Sequence, residues 1–137
     1  MLLIIGQGPY RAHLEKLVAK HHVQNSVRFI GRLPYEALPA HIQLGDIFAM
    51  PSRSRLFGLE VEGLGISYLE ASACGIPVVG GMSGGAPDAV IENETGTIVN
   101  GRDRQAIALS IISLLQDSER RAAMAHRGRE WAVSEWN

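Results

Sequence analysis

The chain has 137 residues, 46% of them hydrophobic and 20% charged, with a formal net charge of −1. That length supports one hydrophobic core but not two lobes facing each other across a cleft. Scattered charges of both signs, with no basic stripe interleaved with aromatics, argue against nucleic acid as a partner, and a single cysteine, Cys74, excludes an internal disulfide and fits a reducing compartment.

The first predicted element is a strand over residues 2–5, from the apolar run Met1-Leu2-Leu3-Ile4-Ile5 that breaks at Gly6. The run is too short for a membrane span and has no basic leader of a signal peptide. A native domain seldom opens inside a core strand, so the expectation is a domain incomplete at its N-terminus. A helix over 10–20, a strand over 27–30, a helix over 35–43 and a strand over 46–51 follow. Helix 66–73 has its apolar positions at Ile66, Leu69 and Ala73, and Cys74 is expected to pack in the interior at its end. Next come a strand over 77–79, a short helix near 86–90, a strand over 96–99 and helices over 105–115 and 118–133, the last with Ser118 as N-cap. Its residues Ala122, Ala123, Met124 and Trp131, with Trp136 beyond, are expected to pack back on the domain. This alternation is the rhythm of βαβ units and predicts an α/β fold, a Rossmann-like parallel sheet with helices on both faces.

In such a sheet ligands bind beyond the carboxyl ends of the strands. The loops concerned are 6–9, 31–34, 52–64 and 80–85, expected on one rim. Gly6-Gln7-Gly8-Pro9 follows a strand and precedes a helix, but Arg11 stands where a dinucleotide fingerprint has its third glycine, so a tight turn explains it. Gly80-Gly81-Met82-Ser83-Gly84-Gly85 lacks the Lys-Ser/Thr of a P-loop and is read either as an anion nest or as a flexible loop. Arg53 and Arg55 either pair with Glu60 and Glu62 or contact phosphate. His13, His21, His22, His41 and His126 show no metal-ligand spacing.

Glu62 and Glu70 are separated by seven residues, the first in a glycine-punctuated loop and the second inside the helix that follows. A helix N-terminus presents unpaired N–H groups and a positive dipole end, which favour phosphate. Carboxylates accept hydrogen bonds from hydroxyl pairs on either side of it. Ribose, diphosphate and hexose in a nucleotide sugar have that layout. By spacing alone, two solvated acids near a helix start are the better explanation of the pair.

Phe48-Ala49-Met50-Pro51-Ser52, Glu62-Gly63-Leu64-Gly65-Ile66, Leu69-Glu70-Ala71, Ala73-Cys74-Gly75-Ile76-Pro77-Val78-Val79 and Gly84-Gly85-Ala86-Pro87-Asp88 follow one another in a recognisable order. With Ile4-Ile5-Gly6-Gln7-Gly8-Pro9 and Val27-Arg28-Phe29-Ile30-Gly31-Arg32-Leu33, they resemble the C-terminal, nucleotide-binding lobe of retaining glycosyltransferases of the GT4 family, which have the GT-B fold. The wording from Gly58 to Gly65 is most similar to actinobacterial phosphatidylinositol mannoside mannosyltransferases, which use GDP-mannose.

That resemblance implies a donor-binding lobe over residues 1–137 of a hexosyltransferase, with an acceptor lobe expected upstream and no required metal or cofactor besides the nucleotide sugar. It places Glu62 on the donor hexose as the catalytic-site residue and Glu70 on the ribose. The amides of Leu64, Gly65 and Ile66, after Gly63, would face the diphosphate, and Leu33 would line the base. The implied acceptor is a lipid or glycan, and the implied location cytoplasmic, with peripheral attachment to the inner face of the plasma membrane left open. The family's Gly-Arg…Lys-Gly loop has no counterpart here, so this chain by itself is expected to be inactive. A non-catalytic nucleotide-sugar binding module is the rival from another class.

Overall fold

Leu2–Ile5 (β1) is a run of four aliphatic residues, and Val27–Gly31 (β2) is rich in β-branched and aromatic ones, so both favour extended backbone. In the computed structural model of the chain, residues 1–54 and 63–136 are described. They fall into two compact units, Met1–Leu38 and Pro39–Asn137. In the first, β1 and β2 pair in parallel from Leu2↔Val27 to Ile5↔Gly31, with a register shift between Ile4 and Ile5. The crossover is α1, Arg11–Lys20, preceded by Pro9, whose fixed φ suits a helix entry. His22, in the left-handed region at φ 55°, ends it.

After α2 (Leu38–Ile42), whose first residue ends the first unit, the second unit holds β3 (Phe48–Met50), α3 (Ile66–Ala73), β4 (Val78–Gly81), β5 (Gly96–Val99), α4 (Arg104–Gln116) and α5 (Ser118–Glu135). Its sheet has the order β3-β4-β5, parallel throughout. Successive residues of a strand point to opposite faces, and the two fully buried valines of β4 show this. Val78 joins Tyr68, Ala71, Ala86 and Ala89 in the core on the α3 side, whereas Val79 joins Leu114 of α4 and Met124 of α5. Helices therefore cover both faces of this sheet, the arrangement the alternation predicts.

Several local expectations shift. Over 35–43 the chain forms a 3₁₀ turn, Tyr35–Ala37, before α2, because Pro39 in the first α-helical turn supplies no N–H for the preceding one. Strand 77–79 extends through Gly81, since β5 pairs with it as far as Gly81↔Val99. Asp117, not Ser118, caps α5 by accepting from the Arg120 amide at 2.9 Å. α5 does pack back, with Met124, Gly128 and Ala132 buried and the Arg129 guanidinium donating to the Ala73 carbonyl at the end of α3. Gly128 lies against Ser72, whose buried hydroxyl has no partner among the described residues. Among the described residues no helix is long and apolar enough to cross a membrane.

Candidate functional site

Two loops that follow neighbouring strands of the second unit meet at the start of α3. The Gly85 amide donates to the Gly63 carbonyl at 3.1 Å, and the Ser54 and Ser83 hydroxyls lie 3.2 Å apart. Arg102, just before α4, ties the first loop from another side by donating to the Ser54 carbonyl at 2.8 Å. A Cβ on Gly81 would collide with the backbone of Ser52, and one on Gly85 with the Gly63 carbonyl oxygen. Gly81 and Gly85 thus permit close backbone approach, a reason distinct from flexibility.

Gly65 is the N-cap residue of α3, in the left-handed conformation at φ 71°, and has no side chain to cap the helix. Its carbonyl accepts from Tyr68 and Leu69, so the helix begins there. Among the described residues, the amides of Leu64, Gly65 and Ile66 donate to no backbone carbonyl. Leu64 and Ile66 are exposed. An uncapped helix start with open amides can receive an anion. Glu70 follows one turn later, half-buried, with its carboxylate unbonded to any other described residue.

Of the residues singled out from sequence, Gly63, Leu64, Gly65, Ile66 and Glu70 stand together at this helix start. Leu33 belongs to the first unit, in the turn after β2. Glu62, Arg55 and Glu60 lie outside the described residues. In the first unit the loops after β1 and β2 also meet, the Gly6 amide donating to the Gly31 carbonyl at 2.8 Å. There the Gly6–Pro9 turn borders a cavity of about 290 Å³ lined by Ile5, Gln7, Gly8, Arg11 and Phe29, where the Arg11 guanidinium lies 5.3 Å from the Phe29 ring centroid. Among the described residues no three His, Cys, Asp or Glu side chains gather as a metal site would need.

The residue that sequence reasoning missed is Tyr68. The apolar face assigned to α3 is off by a turn's fraction: Ile66 and Ala73 are exposed, while Tyr68, Ala71 and Ser72 are buried. A bulky aromatic three positions after a helix-opening glycine was the available signal. Its hydroxyl donates to the Met50 carbonyl at 2.6 Å, accepts from the Gly81 amide at 3.1 Å and lies 3.0 Å from the Ser52 hydroxyl.

Cys74 is half-buried at the end of α3, not packed in the interior as expected, because the helix ends before the chain turns inward to Pro77. Burial still pushes its thiol pKa up; the Arg129 cation opposes that and the Glu70 carboxylate adds to it. At pH 8 Cys74 therefore alkylates more slowly with iodoacetamide than a free thiol does, since the thiolate is the nucleophile. Arg129→Met slows the reaction further and Glu70→Gln speeds it. The opposite order of rates would show that these charges do not govern the thiol.

The family described as "Glycosyl transferases group 1" matches residues 1–131. A GDP-mannose-dependent alpha-(1-6)-phosphatidylinositol monomannoside mannosyltransferase of Mycolicibacterium smegmatis is 51% identical over 135 residues, covering 98% of this chain and 35% of that protein. In Corynebacterium glutamicum, a GDP-mannose-dependent monoacylated alpha-(1-6)-phosphatidylinositol monomannoside mannosyltransferase is 48% identical, covering 99% of this chain and 35% of its own. The sucrose-phosphate synthase structure from Thermosynechococcus elongatus superposes with a TM-score of 0.84 at 30% identity, over 99% of this chain and 34% of that one. The chain thus spans about a third of the length of the curated relatives it matches.

Proposed function

Since the chain belongs to the glycosyl transferases group 1 family, with the Rossmann-like fold of a GT-B C-terminal lobe, we propose that it is the donor-binding lobe of a retaining mannosyltransferase. The donor is GDP-mannose and the acceptor a phosphatidylinositol-mannoside-type lipid. The observation that carries the reading is the uncapped start of α3 at Gly65, with Glu70 one turn on. The names of relatives near 50% identity supply the mannosyl donor and lipid acceptor.

In this reading the amides of Leu64, Gly65 and Ile66 receive the diphosphate, and Glu70 accepts from the ribose hydroxyls. The acceptor hydroxyl attacks the anomeric carbon from the face that the nucleoside diphosphate leaves, so negative charge builds on the departing phosphate. Fixed N–H donors aimed at that charge stabilise the transition state more than the ground state. Glu62 holds the hexose hydroxyls, a positioning role. None of these steps requires a metal.

Calorimetry with GDP, UDP, ADP and their sugars tests the proposal. GDP and GDP-mannose bind most tightly if it is right. Preference for UDP would remove the mannosyl assignment, and failure of all three nucleotides to bind would remove the donor-lobe reading.

A further inference from the structure

Tyr68 is fully buried in the first turn of α3, and its hydroxyl sits where two neighbouring strands part. The β3–β4 ladder ends at Met50↔Gly80. At that end the Met50 carbonyl and the Gly81 amide both face the phenol, and a buried backbone group is costly to leave without a partner. The phenol serves both. Its single proton goes to the Met50 carbonyl, which also accepts from the Ser52 amide at 2.7 Å, and one of its lone pairs takes the Gly81 amide. With the phenol proton already used, the 3.0 Å contact to Ser52 has the serine hydroxyl as donor. One donor and two acceptor positions are thereby all occupied, a saturation that phenylalanine cannot reproduce.

The ring is equally confined. A Cβ on Gly65 would stand 2.9 Å from Tyr68 Cδ2, and one on Gly80 3.0 Å from Cε2. Phe48 meets the ring edge-on, with centroids 6.4 Å apart. Tyr68 therefore links, through one side chain, the exit of β3, the exit of β4 and the glycine that opens α3.

We propose that Tyr68 is a positioning residue for the nucleotide-sugar donor: its hydroxyl holds the loops after β3 and β4 in register with the amides that open α3. This rests on the donor-lobe reading above. Tyr68 does not touch the donor; it sets the distance between the groups that do. Freed of this link, the Ser52 and Gly81 segments shift against α3, and donor binding weakens even in molecules that stay folded.

The test compares Tyr68→Phe with Phe48→Leu in the full-length protein, using GDP as the probe in calorimetry well below the unfolding temperature. Both variants lose stability. Tyr68→Phe raises the Kd for GDP about tenfold, an effect of the size that small misplacements of binding groups produce, and raises the KM for the donor while leaving that for the acceptor unchanged. Phe48→Leu leaves the Kd for GDP at its original value. Equal GDP affinity in Tyr68→Phe and the parent would overturn the proposal, as would an equal loss in both variants, because either makes the hydroxyl merely structural. Should Tyr68→Phe fail to fold, Ser52→Ala removes one of the three links; a two- to threefold weaker affinity for GDP supports the role, and an unchanged one overturns it. If the parent protein binds none of GDP, UDP and ADP, the donor-lobe reading falls and this inference with it.

Discussion

A chain carrying Gly81→Ala melts roughly 10 °C below its parent, on the basis of ~3 kcal/mol lost for forcing a methyl group into backbone. The methyl has no room to relax. It meets the backbone of Ser52, which is held in place by the Met50 carbonyl and the Tyr68 hydroxyl. The neighbour that must yield is main chain, not the end of a flexible side chain. Gly8→Ala is the control, with nothing within 4 Å of its added carbon and no left-handed φ, and its melting temperature stays within about 3 °C of the parent. Thermal unfolding followed by circular dichroism reads both. An unperturbed Gly81→Ala chain would mean that the loops after β3 and β4 are not in close contact in solution.

The second large effect separates the two glutamates. In the full-length protein Glu62→Ala lowers sugar transfer by about 10²-fold, the size expected when a reacting centre loses its positioning contacts, and leaves GDP affinity nearly unchanged. Glu70→Ala does the reverse on the nucleotide: GDP binding weakens by about 1–3 kcal/mol as hydrogen bonds from ribose hydroxyls to a carboxylate are lost. Steady-state transfer from GDP-mannose, with calorimetry on GDP, checks both. If the two variants weaken GDP alike, the division between hexose and ribose is wrong.

Much of this lobe is legible in the order of its residues. Apolar runs bounded by Gly, Pro and Asp or Asn place β1, β2 and β5 within a residue of their observed limits, because extended backbone favours aliphatic, β-branched and aromatic residues and turns need residues that tolerate them. Glu70 and the Gly63-Leu64-Gly65-Ile66 segment are equally visible, since a helix that starts after glycine leaves its first amides uncapped whatever surrounds it.

The sequence by itself determined the βαβ rhythm, and through it the parallel sense of the sheet, together with the glycine-led start of α3; the rhythm and the helix start are set by interactions between residues near one another in the chain. Only the tertiary structure decided which face of α3 turns inward. Ile66 has the greater claim by hydropathy, but the face that goes inward is the one whose polar atom has partners there: the phenol of Tyr68 bonds the Met50 carbonyl and the Gly81 amide, while Ile66 remains 62% exposed. The role of Gly81 was likewise hidden, because its necessity comes from Ser52, 29 residues earlier in the chain. Local patterning carries propensity and period; it carries no record of which distant backbone atoms a buried side chain will meet, and here those atoms are the Met50 carbonyl and the Gly81 amide that bond the Tyr68 hydroxyl.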